Sequence, residues 1–150
     1  MSNQIALTDP KLVIKSLLEK EWKLENTLGV TPKFSTGWYE QGLKLAQVTV
    51  TGDDENGDYH GITSQGGPTK RFDGTLDVNT WANRNCHNDP KSLVFVMSKE
   101  IERIIDDNYD KLEELELIGY QRKVSLDQTD ISPKIYRYLN IVAYNRYTRR

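Results

Sequence analysis

The sequence predicts an α+β fold, in which a mostly antiparallel sheet packs against two main helices and carries a long loop or hairpin extension. Two segments place apolar residues at helical spacing, and an acidic residue and a proline precede each of them. Several other segments alternate apolar and polar residues with period two, as strands do. The chain has 150 residues and no internal repeat, so we expect a single domain over residues 1–150.

The first predicted helix begins at Thr8-Asp9-Pro10. Thr8 or Asp9 can cap the free N–H groups of its first turn, and Pro10 occupies a position where its missing donor costs nothing. Gly29 and Pro32 close the segment. Its apolar stripe consists of Leu12, Val13, Leu17, Leu18 and Trp22.

The second predicted helix follows Asn88-Asp89-Pro90, which is the same kind of start. Helical patterning continues through Tyr109 and Leu115 to Gly119, with a suspected turn at residues 106–108. The predicted buried stripe consists of Leu93, Val96, Met97, Glu100, Ile101, Ile104, Ile105 and Asn108.

The period-two pattern predicts strands at residues 34–39, 45–51, 70–81, 123–127 and 136–144. The second of these places Ala46, Val48 and Val50 on one face. In the third, Phe72, Gly74, Leu76, Val78 and Thr80 share a face. A turn at Ser132-Pro133 separates the last two strands.

Residues 52–69 are rich in glycine and acidic residues and contain almost nothing to bury. Such a segment does not offset its ordering entropy by burial within one subunit. We therefore expect a long mobile loop, or the mobile tip of a hairpin, that becomes ordered against a neighbour. A calcium loop starting at Asp54 fails, because its sixth position is Tyr59 and its twelfth is Gln65.

The composition leaves little material for catalysis or for tight duplex binding. The formal charge is −2 and the isoelectric point is near 5.7, whereas general duplex-binding domains are strongly basic. Cys86 is the single cysteine, and beside His87 it is more consistent with an inert loop thiol than with a nucleophile and its base. We expect no catalytic residue, no metal and no cofactor.

The sequence suggests no membrane association. No apolar run approaches a membrane span, and no basic region precedes an apolar stretch at the N-terminus. We therefore expect a soluble protein that is made inside the cell.

One enzymatic alternative stays open, namely a metal-dependent nuclease. Asp73, Asp77 and Glu100 would have to gather at a sheet edge and hold magnesium. Against this, both aspartates alternate with apolar residues, as outward-facing strand positions do.

Charges of opposite sign are segregated along the second half of the chain. Residues 99–118 hold eight acidic and three basic residues, net −5, while residues 133–150 hold five basic and no acidic residues, net +5. This separation suits head-to-tail association, and residues 145–150 are expected to form a basic C-terminal tail. The candidate interface residues are Asp53, Asp54, Glu55, Asp58, Glu113, Glu114, Glu116, Arg137, Arg146, Arg149 and Arg150.

The order of these elements resembles the tail-terminator and tail-completion neck proteins of tailed viruses, whether bacteriophages or archaeal viruses. The residues that carry the resemblance are Thr31-Pro32-Lys33-Phe34, Gln47-Val48-Thr49-Val50-Thr51, Arg71-x-x-Gly74-x-Leu76-Asp77-Val78-x-x-Trp81-Ala82, the helical Ile101, Ile104 and Ile105, and Tyr136-Arg137-Tyr138.

The resemblance implies a non-enzymatic virion protein that forms a homo-oligomeric ring, expected to be a hexamer. Such a ring terminates the tail tube and meets the head-side connector or head-completion protein, and DNA passes through its lumen without sequence-specific contact. Two alternatives from other classes are the nuclease and a monomeric adaptor that binds a peptide at a sheet edge.

Overall fold

A computed structural model describes residues 9–38, 45–63, 67–112, 115–122, 126–128 and 135–149, and it confirms the α+β fold. The helices of the described chain are α1 (Pro10–Glu21), a short 3-10 helix (Leu24–Asn26) and α2 (Pro90–Asn108). The strands are β1 (Lys33–Ser35), β2 (Gln47–Thr63), β3 (Gly67–Ala82), β4 (Glu116–Arg122), β5 (Leu126–Gln128) and β6 (Ile135–Arg149).

One sheet contains all these strands in the order β1-β2-β3-β6-β4, with β5 also pairing with β6. β1 runs parallel to β2, and every other pairing is antiparallel. α1 contacts β1 and β2, whereas α2 contacts β3, β6 and β4. Both helices pack on the same face of the sheet, where the hydrophobic core includes Val48, Val78, Val142, Leu93 and Ile101.

The predicted start of α1 is confirmed, since the Asp9 carboxylate accepts a hydrogen bond from the backbone N–H of Lys11 at 3.0 Å. The predicted stripe is wrong at Leu12, which is 51% exposed, while Ile14 is fully buried. Ile14 shares a face with Leu17 and Leu18 at spacings of three and four residues, and this is the face that meets the sheet.

The second helix begins as predicted, with Asp89 accepting a hydrogen bond from the backbone N–H of Ser92. It ends at Asn108, where the sequence indicated a turn, and the alternative of helical structure up to Gly119 is wrong. Leu115 and Leu117 are both buried at a spacing of two, and residues 116–122 form β4 instead. β4 completes its hydrogen bonds on β6, a partner that local periodicity does not reveal.

Of the two alternatives for residues 52–69, the hairpin is confirmed and the long loop is wrong. β2 extends to Thr63 and β3 begins at Gly67, and the two strands pair along this stretch. Backbone hydrogen bonding needs no apolar side chains, which is why composition did not reveal the pairing. Whether the hairpin tip is mobile stays a prediction.

The predicted tail at residues 145–150 is likewise corrected. Residues 145–149 belong to β6 and pair with β3 as far as Thr69 opposite Arg149, whereas Arg150 lies outside the described residues. Residues 55–63 of β2, 67–74 of β3 and 144–149 of β6 thus form a three-stranded arm. The turn predicted at Ser132-Pro133 lies outside the described residues.

A β-bulge separates the base of β2 from the arm. The pairing of β2 with β3 shifts between Thr51 and Asp54, and Gly52 there has a φ of +109°. A Cβ atom at this position would also lie 3.3 Å from the backbone nitrogen of Asp77, so glycine suits the bend. The bulge reverses the alternation of β2, and it brings Glu55 onto the face that carries the helices.

Candidate subunit interface

Two of the candidate interface residues, Glu55 and Arg146, pair with each other at the base of the arm. Arg146 Nε lies 3.0 Å from Glu55 Oε2, and Arg146 Nη2 lies 2.7 Å from Glu55 Oε1. The Tyr144 hydroxyl donates to the same carboxylate, and the Arg146 guanidinium lies 4.2 Å from the centre of the Phe72 ring. Because Tyr144 stands opposite Gly74, which stands opposite Glu55, its ring crosses the glycine to reach the acid.

In this cluster the negative charge of Glu55 is balanced by the positive charge of Arg146 in the same chain. The hydrogen bond from Arg146 lowers the pKa of Glu55, and the hydrogen bond from Tyr144 lowers it further, whereas burial of the carboxylate raises it. The hydrogen bond to Glu55 correspondingly raises the pKa of Arg146, and burial raises the pKa of Tyr144. Glu55 and Arg146 are therefore weaker candidates for an ionic contact between subunits than their sequence positions suggested.

Arg137 lies on the opposite face of the sheet from the helices. Its guanidinium carbon is 5.1 Å from the centre of the Trp38 ring and 5.0 Å from that of Trp81, and its Nε donates to Asn79 Oδ1 at 2.8 Å. Burial lowers the pKa of Arg137, while the nearby Asp77 acts in the opposite direction. The arrangement anchors Trp38, which is 57% exposed, across β3 and β6.

The remaining candidate residues fall into two groups. Glu116 begins β4 and is exposed, Asp54, Asp58 and Arg149 take part in strand pairing through their backbones, and Asp53 lies in the bulge of β2. Glu113, Glu114 and Arg150 lie outside the described residues.

A groove beside β4 was missed at the level of sequence. It has a volume of about 400 Å³ and lies between the end of α2 and β4, and it is lined by Ile105, Asp106, Tyr109, Leu117, Ile118, Gly119 and Tyr120. Tyr109 is 56% exposed and Ile118 is 52% exposed. The spacing of two residues between the buried Leu115 and Leu117 is typical of a strand, but the sequence pattern predicts a helix for this segment.

Exposed apolar side chains also lie near the other edge of the sheet. Leu12 lies on α1, which contacts β1 and β2, and Leu45 directly precedes β2; each is about half exposed. The chain thus presents apolar side chains near both edges of its sheet, and the two sets differ in structure.

The geometry does not assemble the catalytic pairs considered from sequence. The Cys86 thiol contacts Asn83 Oδ1 and burial raises its pKa, whereas His87 Nδ1 accepts a hydrogen bond from the backbone N–H of Asp89. A thiol of raised pKa is a poor nucleophile at neutral pH.

The three carboxylates of the nuclease alternative lie apart. Asp73 and Asp77 are on the face of β3 that points away from α2, while Glu100 is on α2 and binds Arg103. Among the described residues, no group of three or more histidine, cysteine or acidic side chains is placed to hold a metal ion.

No helix in the described part of the chain is both long and apolar enough to cross a bilayer. Comparison of the sequence with protein-family models and with curated proteins finds no match.

Proposed function

We propose that this chain is a non-enzymatic structural subunit of the head–tail neck of a tailed virus. It assembles head to tail into a ring, expected to be a hexamer, that terminates the tail tube and joins it to the head-side connector. The order of elements that underlies the resemblance supports the proposal, since α1, the β2–β3 hairpin, α2 and the closing β6 occur in that order in the fold.

The observation that carries the proposal is the presence of two unlike apolar surfaces near the two edges of one sheet. Tyr109 and Ile118 line the groove at β4, whereas the exposed Leu12 lies on α1, which contacts β1 and β2, and the exposed Leu45 directly precedes β2. A subunit that joins unlike surfaces forms a heterologous contact, and such a contact closes into a ring when its rotation permits.

The partners follow from the same proposal. In the virion neck, the ring contacts the tail tube protein on one side and the connector or head-completion protein on the other. DNA in the lumen is contacted transiently, which suits a chain of formal charge −2 better than tight binding would.

The native mass and shape of the purified protein test the proposal. We expect a particle several times heavier than the 17.3 kDa chain, with a central channel visible by electron microscopy. A protein that stays monomeric across the accessible concentration range contradicts the ring. Metal-dependent DNA cleavage that is lost in Asp73→Asn or Asp77→Asn contradicts the non-enzymatic assignment.

The groove beside β4 also favours a second candidate function, the monomeric adaptor. Among the described residues no strand lies along the outer side of β4, and a free edge next to an apolar groove is the arrangement that binds an added peptide strand. A monomer that binds extended peptides and protects the β4 amides from hydrogen exchange supports the adaptor in place of the ring.

A further inference from the structure

We infer that the outer edge of β4 is a strand-addition site and that residues 50–56 of β2 from a second copy of this chain occupy it. The inference rests on the proposed ring and specifies how neighbouring subunits join. Strand addition provides main-chain hydrogen bonds, and a groove beside the receiving edge adds apolar contact.

The two strand edges are open in the described part of the structure. β4 pairs with β6 on one side, and no described strand lies along its other side. On the outer side of β2, β1 pairs only with Gln47, Val48 and Thr49, so no described strand continues that pairing from Val50 onward. Open edges of this kind are templates for pairing with another chain.

The two edges lie at the same level of the sheet. Tracing the register from strand to strand, one row consists of Glu116, Asn145, Asp73 and Asn56. A second row consists of Arg122, Asn140, Val78 and Val50. β4 therefore covers the same height as residues 50–56, the stretch of β2 that begins where β1 ends. A neighbouring subunit can therefore pair with this edge without being displaced along the strand direction. When the strands run parallel to the ring axis, the absence of such a displacement lets the assembly close into a ring, whereas a displacement at each joint would give a filament.

The directions of the strands also match. β2, β3, β6 and β4 are successive antiparallel neighbours, so β4 runs opposite to β2. In a ring each subunit keeps the same orientation, and β4 of one copy meets β2 of the next as an antiparallel pair. The joint therefore repeats the pairing that already dominates the sheet.

Each of the two edge strands has a register shift at nearly the same height in the sheet. The register of β2 shifts between Thr51 and Asp54, and that of β4 shifts between Leu117 and Gly119, within about two rows of each other. Bulges increase the local bend and twist of a strand, and curvature is what a sheet needs to continue around a ring. Ile118, the bulged residue of β4, lines the groove and is exposed to an added strand.

The first test places a charge on the receiving edge. We expect Ile118→Lys to raise the concentration for half-maximal assembly by about tenfold or more, because a lysine on an edge opposes strand addition. Phe95→Lys is the matched control, since Phe95 is 42% exposed on α2 and its ring lies near Tyr138, away from both edges. Sedimentation velocity measures assembly, and circular dichroism verifies that both variants fold.

The second test identifies the occupant by cross-linking. Gly119, Ala143, Thr75 and Asp54 share one row of the sheet, and a Cβ atom at Gly119 meets only the Cβ of Ala143 at an ordinary 3.7 Å. In a Cys86→Ser background, the double variant Gly119→Cys, Asp54→Cys should give a ladder of disulfide-linked oligomers on oxidation. Each single variant should stay uncross-linked, and a mixture of the two should give dimers only.

The outcomes separate this inference from the proposed function. A ring that tolerates Ile118→Lys and gives no ladder overturns the inference and leaves the ring standing. A disulfide-linked dimer of the Gly119→Cys single variant shows that the β4 edge pairs with the same edge of another copy. Assembly that is weakened by Ile118→Lys but gives no ladder of disulfide-linked oligomers shows that another segment occupies the edge. Either result overturns the assignment to β2. A protein that never assembles fails both proposals.

Discussion

Two glutamate–arginine pairs stabilise two regions of this chain in different ways. Where helices cover the sheet, Glu100 is 2% exposed and accepts hydrogen bonds from Arg103, from the backbone N–H of Lys23 and from Asn26. At the base of the arm, the side chains of Glu55 and Arg146 are 20% and 13% exposed, and Tyr144 completes the cluster. The donor and acceptor groups are similar, but the surroundings differ.

The difference shows what each pair holds together. Arg103 also donates to the backbone carbonyl of Glu21, so the Glu100 cluster connects α2 to the end of α1 and to the 3-10 helix. These contacts join residues that are 74 to 82 positions apart in the chain. The Glu55 cluster joins strands that backbone hydrogen bonds already pair. Loss of the Glu100 cluster removes contacts between α2, α1 and the 3-10 helix, whereas loss of the Glu55 cluster leaves the backbone hydrogen bonds between the strands in place.

The largest effect is expected from Glu100→Ala. Removing one partner of a buried ion pair leaves the other groups without their acceptor, and we expect a loss of about 3–5 kcal/mol in the free energy of unfolding. Urea denaturation measures it. Glu19→Ala breaks the exposed Lys15–Glu19 pair and is the matched control, for which a loss of about 0.3–0.5 kcal/mol is expected. Equal losses in the two variants would show that burial does not distinguish these pairs.

An intermediate effect is expected from Gly74→Ala. The added Cβ would lie 2.5 Å from the hydroxyl end of the Tyr144 ring, so the ring must move away from Glu55. Overpacking of this kind costs about 1–3 kcal/mol. Gly119→Ala is the control, because its Cβ meets only an ordinary contact and should cost nothing measurable. The two unfolding curves, recorded side by side, check the prediction, and an unchanged Gly74→Ala variant would show that Tyr144 moves freely.

The smallest effect is expected from Glu55→Gln, about 0.5–1.5 kcal/mol at neutral pH, the size of one net hydrogen bond. Because the pKa of Glu55 is lowered in the folded state, chiefly by the hydrogen bond from Arg146, its carboxylate stabilises the fold above the ordinary pKa of 4.5. That contribution is lost as the pH falls through the lowered folded pKa. The difference between wild type and variant should therefore narrow below about pH 4.5, and urea titrations at several pH values measure it. A difference that stays constant with pH would contradict the ionic role.

Sequence patterns were most informative where helices cover the sheet. The acid–proline starts of both helices and the alternation in β2 and β3 followed from local chemistry, and the structure places Val48, Val50, Leu76 and Val78 in the core as expected. These features are local, because caps and alternation depend on neighbours in the sequence.

The arm and the β4 edge depend on partners that are distant in the chain. Glu55 meets Arg146 across two strand pairings and one bulge, and β4 forms on β6 after a segment whose spacing also suits a helix. Periodicity carries no information on which strands become neighbours. The groove at Ile118 could therefore not be predicted, although the two buried leucines beside it indicated a strand.

Gly52 divides β2 into two stretches whose inward positions follow opposite phases. Before the glycine the even-numbered residues Val48 and Val50 face the helices, and after it the odd-numbered Glu55 does. A single insertion or deletion between Val50 and Glu55 would swap the two faces of the β2 arm while leaving its base intact. Insertions or deletions of two residues in this part of the strand should therefore be tolerated better than those of one. The position of the glycine determines which residues of the arm lie on the face that carries the helices.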